Sequence, residues 1–212
     1  EQTLEPSELA VVHAVRTFMR GEVEPIINDY WTRARFPFQI LDGFRQLGIA
    51  GLPYEGYGCP GRSRTLDGMV FMELARTDPS IATFHGVHSG LAMGTIYVCG
   101  SDEQRDRWLP GMARLEQIGA FGLTEPDVGS GASRGLTTTA RRDGDHWILN
   151  GQKKWIGNAS FADLVIIWAR DDEDNQVKGF VVERGSPGLT VEDLKDNIAV
   201  ADLNWIIDYY RL

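Results

Sequence analysis

Residues 120–131 read AFGLTEPDVGSG, and residues 153–158 read KKWIGN. The first stretch passes from a short apolar run into a Thr-Glu-Pro turn and a glycine-rich loop, and the second follows an Asn-Gly turn. Turns of this composition are typical of chains built from short strands. No GxxxxGK[ST] phosphate loop occurs anywhere in the chain. The two stretches therefore predict a β-rich region, in which they form either ordinary turns around a core tryptophan or a ligand site.

The segments around these stretches have the composition of strands. Four short runs are rich in β-branched and aromatic residues: LTTTAR (136–141), HWILN (146–150), ADLVIIWAR (162–170) and KGFVVER (178–184). The connectors DGD, NGQ and DDEDNQ are turn-forming sequences. This pattern predicts a meander of antiparallel strands, and an all-β piece of this size is expected to close into a sandwich or barrel.

The chain upstream of about Glu116 has helical spacing instead. Pro79–Val98 is apolar nearly all round, which predicts a buried helix. Ser101 and Gln104 form a plausible capping box for one more helix, with a break expected near Pro110. The fold class is therefore α+β. A multi-helical domain is expected over 1–118 and a β-barrel-like domain over 119–212, with the tail 200–212 unassigned.

Bulk properties narrow the class of protein. The net charge of −9 argues against general binding to nucleic acid or to an anionic membrane. The sequence contains no apolar stretch long enough to cross a bilayer, and its first residues do not resemble a signal or transit peptide. Cys59 and Cys99 are expected to be free thiols. These features predict a cytoplasmic protein, or an organelle-matrix protein in a eukaryote.

The residue types in the two opening stretches suit a flat heterocycle with a polar edge. The first offers closely spaced backbone N–H donors with the Thr124 and Ser130 hydroxyls, and the second offers the indole face of Trp155. An isoalloxazine is the obvious candidate, because its polar edge gains negative charge on reduction and aimed N–H groups stabilise that charge. The alternative of structural turns and a buried tryptophan stays open at this point.

The same residues resemble a known family. FGLTEPDVGSGAS (121–133) and DHWILNGQKKWIGNASFADLVIIWAR (145–170) are similar to the flavin-binding middle domain of the acyl-CoA dehydrogenases. Upstream, LGIAGLPYEGYG, ELARTDPSIATFHGVHSGL and CGSDEQRDRWLPGMARLEQIGAFGLTEP resemble the family's helical N-terminal domain. The likeness runs from about residue 8 to about residue 199. EGYGCPG and WIGN resemble the branch of glutaryl-CoA dehydrogenases and short-chain acyl-CoA oxidases.

The resemblance implies FAD-dependent α,β-dehydrogenation of a short- or medium-chain acyl-CoA thioester. A carboxylate base would remove the α-proton while the β-hydrogen leaves as hydride. Electrons would pass to an electron-transferring flavoprotein. Two alternatives are an acyl-CoA oxidase that reduces O2 and a non-catalytic, truncated flavin-binding fragment. The family also implies a homodimer or homotetramer.

The resemblance also implies a set of site residues. Phe121 would face the flavin, and the Leu123 and Thr124 amides with the Thr124 hydroxyl would meet its pyrimidine edge. Gly129 and Ser130 would lie near the flavin, with Ser130 also close to the acyl-CoA. The remaining contacts would come from Trp155, which packs on the ring system, and from the backbone of Ile156 and Gly157.

Four departures from the family pattern matter. Gly157 replaces a threonine whose hydroxyl contacts the flavin in most members, and Gly131 replaces an aspartate. Ala82 and Gly86 occupy the positions of the arginine and serine that hold a distal carboxylate in glutaryl-specific members, so a dicarboxylyl substrate is not expected. The family's catalytic glutamate lies in a C-terminal helical bundle that this sequence does not include. No catalytic residue is therefore assigned in this chain.

Other chemically suggestive residues have simpler interpretations. His85 and His88 have a spacing that suits a metal, but no third ligand is evident, so packed histidines are expected. Glu125 is interpreted as a structural carboxylate of the turn. Lys153 and Lys154 are expected at an exposed strand edge rather than on a CoA phosphate. Asp171–Asp174 is expected to be a solvated hairpin turn. No metal site is predicted.

Overall fold

The structure is a computed structural model that describes residues 4–129, 131, 135–193 and 205–209. The chain divides into two compact units, Glu1–Gln117 and Ile118–Leu212. The first unit is helical and the second is built on one sheet, so the α+β class expected from the sequence is confirmed. Within the described residues, no helix has the length and hydropathy needed to span a membrane.

The helical unit contains seven α-helices, two π-helical segments and a small hairpin among its described residues. In chain order these are α1 Pro6–Phe18, a π-helical segment Met19–Val23, α2 Glu24–Thr32, α3 Ile40–Leu47, β1 Glu55–Gly56, β2 Cys59–Pro60, α4 Arg64–Thr77, α5 Pro79–His85, a π-helical segment Gly86–Met93, α6 Gly94–Cys99 and α7 Asp102–Ala113.

Two predicted features of the late helices had different outcomes. The capping box at the start of α7 is confirmed, because Ser101 and Gln104 exchange hydrogen bonds with each other's backbone N–H groups at 2.9 and 3.2 Å. The predicted break near Pro110 is wrong, since α7 runs through it to Ala113. Proline removes one donor and disfavours the helix, but burial of Leu109 and Met112 on either side holds this turn in place.

The buried helix predicted over Pro79–Val98 forms but is not buried all round. It contains a π-helical stretch, and Leu91 and Val98 on it are exposed. The glycine-rich loop of residues 48–61, which precedes α4, is hydrogen-bonded to this π-helical stretch. The Ser89 hydroxyl accepts from the Gly51 amide at 2.8 Å, and the Tyr54 hydroxyl donates to the Ser89 carbonyl at 3.0 Å. Residues 56–61 of the loop read GYGCPG and match GxGxxG, but they form the β1–β2 hairpin rather than a strand-to-helix phosphate loop.

The second unit is a seven-stranded sheet. Its strands are β3 Gly119–Gly122, β4 Thr139–Asp143, β5 His146–Lys153, β6 Leu164–Asp171, β7 Val177–Glu183, β8 Leu189–Asp193 and β9 Trp205–Tyr209. The predicted β4–β5 and β6–β7 hairpins are present. The expectation of an antiparallel meander is wrong for two pairs, because β3 and β4 both run parallel to β6. Strand β9, in the tail left unassigned, pairs with β5 and β8.

One core cluster of this unit packs on one face of the sheet. Alternate residues of β6, Val165, Ile167 and Ala169, are buried there with Ala120 of β3 and Leu149 of β5. This packing fixes the C-terminal end of β3 next to the end of β5. Residues 120–131 and 153–158 therefore belong to neighbouring parts of one unit.

Candidate cofactor site

The two stretches are hydrogen-bonded to each other. Leu123 and Thr124 follow directly after β3, and Lys153 and Lys154 lie at and just after the end of β5. The Lys154 amide donates to the Thr124 carbonyl at 2.8 Å, and the Lys153 ammonium donates to the Leu123 carbonyl at 3.1 Å. The segments predicted to share a site are therefore brought together by direct contacts.

Three hydrogen-bond donors are available where β3 ends. The amides of Leu123 and Thr124 and the Thr124 hydroxyl donate to no residue in the described part of the chain. Both residues are partly exposed, so these donors are accessible. Backbone N–H groups without a protein partner are uncommon in native structures unless water or a ligand satisfies them. The end of β3 can therefore accept a ligand with hydrogen-bond acceptors along one edge.

Trp155 directly follows Lys154, whose amide is hydrogen-bonded to the Thr124 carbonyl. This bond brings the segment that carries the indole next to the donors after β3. Trp155 is 49% exposed, which excludes the interpretation as a core tryptophan. Its backbone φ is 61°, a left-handed conformation that is unfavourable for a bulky residue. The Lys154 ammonium lies 4.9 Å from the ring centroid. A large apolar ring held outward at a conformational cost is typical of a residue that serves a ligand rather than the core.

The turn after Trp155 is held by core packing and by a hydrogen bond to β3. Ile156 is buried in the core of the sheet unit. Asn158 also has a positive φ of 67°, and its side-chain amide donates to the Gly119 carbonyl at 3.2 Å. The turn is thereby attached to the start of β3, so the backbone that carries Trp155 has fixed points on both sides.

Glu125 and Lys153 form a buried ion pair under the site. Their side chains are 1% and 0% exposed, and the Lys153 ammonium lies 2.8 Å from the carboxylate. The carboxylate also accepts from the Thr137 amide and hydroxyl, both at 2.6 Å, and from the Thr138 amide at 2.9 Å. Burial acts to raise the pKa of Glu125, but these hydrogen bonds outweigh it and lower the pKa to about 2. Glu125 is therefore a structural carboxylate, as interpreted from the sequence.

The expectation that Lys153 sits at an exposed strand edge is wrong. Burial lowers its pKa, and the bond to Glu125 partly offsets that effect. Alternation along β5 places Lys153 on the same face as the buried Leu149, four positions earlier, but it does not identify the partner that allows the lysine to be buried. Thr137, Thr138 and Asn158 were not identified as site-supporting residues from the sequence, because nothing in the local pattern marks them.

The remaining predicted site residues are placed as follows. Phe121 is partly buried in β3, with its ring centroid 5.9 Å from that of Trp168. Gly157 is partly buried in the turn after Trp155, and Gly129 is exposed after a short turn closed by Glu125 and Val128. Ser130 lies outside the described residues. Among the described predicted residues, Leu123 and Thr124 are hydrogen-bonded to the segment that leads into the Trp155 turn, whereas Phe121 and Gly129 make no such bond.

The other candidate residues do not form a site. His85 and His88 are buried, and Nε2 of His88 lies 3.0 Å from the Met112 carbonyl oxygen. Burial lowers the pKa of His85 to about 3 and that of His88 to about 4, so both are packed neutral histidines as expected. No group of three potential metal ligands occurs among the described residues. Asp171 differs from the expected solvated turn, because it is buried and paired with Lys178.

Comparison with known proteins gives matches along both units. Residues 5–116 match the family model described as acyl-CoA dehydrogenase, N-terminal domain, and residues 120–207 match that described as acyl-CoA dehydrogenase, middle domain. A short-chain-specific acyl-CoA dehydrogenase of Clostridium acetobutylicum is 32% identical over 192 residues, which cover 88% of this chain and 50% of the relative. The chain spans about half the length of the curated relatives it matches.

Solved structures give the same result. A glutaryl-CoA dehydrogenase from Mycobacterium smegmatis, crystallised in complex with FADH2, superposes with a TM-score of 0.90 at 36% identity, covering 100% of this chain and 55% of that one. A butyryl-CoA dehydrogenase from Megasphaera elsdenii superposes with a TM-score of 0.89 at 25% identity, covering 98% of this chain and 56% of that one.

Proposed function

Because the chain belongs to the acyl-CoA dehydrogenase family, we propose that it binds FAD between the end of β3 and the Trp155 turn. The protein that contains it would dehydrogenate a short- or medium-chain acyl-CoA at the α,β bond. The observation that carries this proposal is the exposed, left-handed Trp155 next to a row of donors that no described residue uses. An isoalloxazine has a flat face for the indole and acceptor atoms for the donors, so the residues present fit the cofactor.

Each site residue has a role that follows from its chemistry. The Leu123 and Thr124 amides and the Thr124 hydroxyl would donate to the polar edge of the cofactor, where negative charge is best stabilised. Trp155 would cover one part of the ring system and exclude water from it, and Phe121 would add apolar contact. The backbone of Ile156 and Gly157 would complete the contact surface.

The acyl-CoA chemistry is divided between the chain and the cofactor. FAD, when bound, supplies the two-electron acceptor for the hydrogen that leaves the β-carbon. Gly129 and Ser130 would hold the thioester substrate near the ring. The proton on the α-carbon needs a carboxylate base, and Glu125 is unsuited to that role because it is buried and held by four donors. We therefore assign the base to no residue of this chain.

The electron acceptor is the second part of the proposal. We propose a separate electron-transferring flavoprotein as the acceptor, with a cytoplasmic location and a homodimeric or homotetrameric assembly as predicted from the sequence. One observation favours an oxidase that reduces O2: residue 157 is glycine, so this turn offers no side-chain hydroxyl there. A non-catalytic flavin-binding fragment is the third candidate.

Cofactor binding and turnover are tested separately. The 212-residue chain is titrated into FAD, and we expect strong quenching of flavin fluorescence by the indole of Trp155. The site is refuted if neither the fluorescence intensity nor the fluorescence anisotropy of FAD changes when the chain is added. The protein isolated from its native source is then assayed with butyryl-CoA. Reduction of an artificial acceptor without hydrogen peroxide supports the dehydrogenase, peroxide at the full rate supports the oxidase, and no turnover by a protein of 23.6 kDa supports the fragment.

A further inference from the structure

We propose that the buried Glu125–Lys153 pair is a positioning device that holds the donors after β3 and the Trp155 turn in their binding arrangement before any ligand arrives. The inference rests on the proposed function and adds residues that would act on the cofactor only through others. Lys153 is the central positioning residue, because its ammonium donates both to the Leu123 carbonyl, in the segment that carries the donors, and to the Glu125 carboxylate.

The direction of the Thr124 N–H is fixed through the peptide plane after Leu123. The Leu123 carbonyl and the Thr124 N–H belong to one planar peptide group, so fixing the carbonyl also fixes the direction of the N–H. The Lys153 ammonium donates to that carbonyl at 3.1 Å. The next peptide group is held in the same way, because the Lys154 amide donates to the Thr124 carbonyl at 2.8 Å. Two consecutive bonds from β5 therefore aim the Thr124 donor.

Lys153 is itself held in place by Glu125. Its ammonium is fully buried and lies 2.8 Å from the Glu125 carboxylate. That carboxylate is fixed by three further donors from Thr137 and Thr138, in the segment that leads into β4. The ammonium thus has one position set by the carboxylate, and the carbonyl of Leu123 lies within reach of it. Segments from three parts of the sheet unit meet at this pair.

The positioning role of this pair is separable from its contribution to stability. A buried ion pair loses much of its attraction to the cost of removing both charges from water, and apolar pairs of similar volume are often as stable. A directed bond to the Leu123 carbonyl is something that an apolar side chain does not provide. Lys153 is also two residues before Trp155, whose left-handed backbone lies between this anchor and the buried Ile156. The pair therefore restricts both halves of the site.

The test compares a neutral pair with the ion pair. In the double variant Glu125→Gln/Lys153→Met neither buried charge remains unpaired, whereas Lys153→Met alone leaves the carboxylate without its partner. Lys178→Met is the matched control, because Lys178 is also bonded to a buried carboxylate, Asp171, in the same sheet. For each variant we measure the melting temperature, the amide NMR shift of Thr124 without FAD, and the FAD dissociation constant.

We expect the double variant to fold with a lowered melting temperature, because Glu125→Gln leaves one acceptor oxygen in place of two and deprives the Thr137 or the Thr138 amide of its acceptor. It should show a displaced Thr124 amide resonance and bind FAD about tenfold more weakly than the unmodified chain. The control should keep both the resonance and the affinity. A double variant with the original resonance and affinity overturns the proposal. If the unmodified chain does not bind FAD, the proposed function fails, while the Thr124 resonance of the cofactor-free chain still decides whether the pair positions the donor.

A milder change covers the case in which the double variant does not fold. Thr137→Val removes the 2.6 Å hydrogen bond from the Thr137 hydroxyl to Glu125 and leaves the ion pair intact. We expect this variant to fold and to bind FAD about two- to fivefold more weakly with a shifted Thr124 resonance. An unchanged affinity and resonance in this variant would overturn the proposal on their own.

Discussion

Replacing Trp155 with glycine should weaken FAD binding while leaving the stability of the chain nearly unchanged. Trp155 combines a φ of 61° with a side chain that is 49% exposed, so it contributes little to the core and carries backbone strain. Most core tryptophans behave in the opposite way, since their loss costs about 3–5 kcal/mol of stability. The separation of affinity from stability is what distinguishes a ligand-facing tryptophan.

The magnitude follows from three terms. Glycine relieves the left-handed conformation, a gain of about 1–2 kcal/mol in the free energy of unfolding. It loses the contacts of the half-buried ring, about 1–1.5 kcal/mol, and adds unfolded-state freedom worth about 0.5–1 kcal/mol. The sum lies within about 1.5 kcal/mol of zero. Loss of an aromatic contact to FAD should cost about 1–3 kcal/mol of binding free energy, a factor of about 5 to 150 in the dissociation constant.

Urea denaturation without FAD and a fluorescence titration with FAD measure the two quantities. Trp155→Ala keeps the strain and removes the same ring, so it should be about 1 kcal/mol less stable than Trp155→Gly and bind FAD equally weakly. Trp31→Ala, at a 53% exposed tryptophan of the helical unit, serves as the control and should bind FAD normally. A Trp155→Gly chain that unfolds easily yet keeps its FAD affinity would refute the reasoning.

Two further predictions concern a donor and a pH response. Thr124→Val keeps the shape of the side chain but removes a hydroxyl, and should weaken FAD binding by about 0.5–1.5 kcal/mol; an unchanged titration would contradict the role of this donor. Burial lowers the pKa of His85 to about 3 and of His88 to about 4, so stability is complete above pH 6.5 and falls as the unfolded chain takes up protons below it. At pH 5.5 the loss should be about 1.4 kcal/mol per histidine in urea denaturation, and His88→Gln should reduce it.

The sequence predicted those parts of the site that depend on local composition. The turn after β3 and the turn after β5 were identified from a few residues each, because the turn types need particular amino acids. The capping box of α7 was predictable for the same reason. The sequence left open whether Trp155 can contact a ligand. A tryptophan near a turn fits both a core position and a ligand site until its exposure is known.

The buried position of Lys153 could not be predicted from its neighbours. Alternation in β5 places it on the face of Leu149, but a lone lysine on an apolar face is expected to bend back to water, because burying an unpaired charge costs several kcal/mol. Its partner Glu125 is 28 residues away in sequence. The parallel pairing of β3 with β6 was not predicted for a related reason. Turn residues indicate only how strands that are consecutive in the sequence pair with each other, and β3 and β6 are not consecutive.

That parallel pairing also affects how the sheet unit forms during folding. Gly119 pairs with Leu164, and the Ile118 amide bonds to the Asp163 carboxylate across 45 residues of chain. The β4–β5 and β6–β7 hairpins need only short loop closures and can form within microseconds, whereas β3 must wait for a long loop to close. The end of β3, with Leu123 and Thr124, is therefore expected to be assembled after these two hairpins. A newly made chain would expose the apolar edge of β6 until then, and a ligand that captures the finished end of β3 would draw the folding equilibrium forward by mass action.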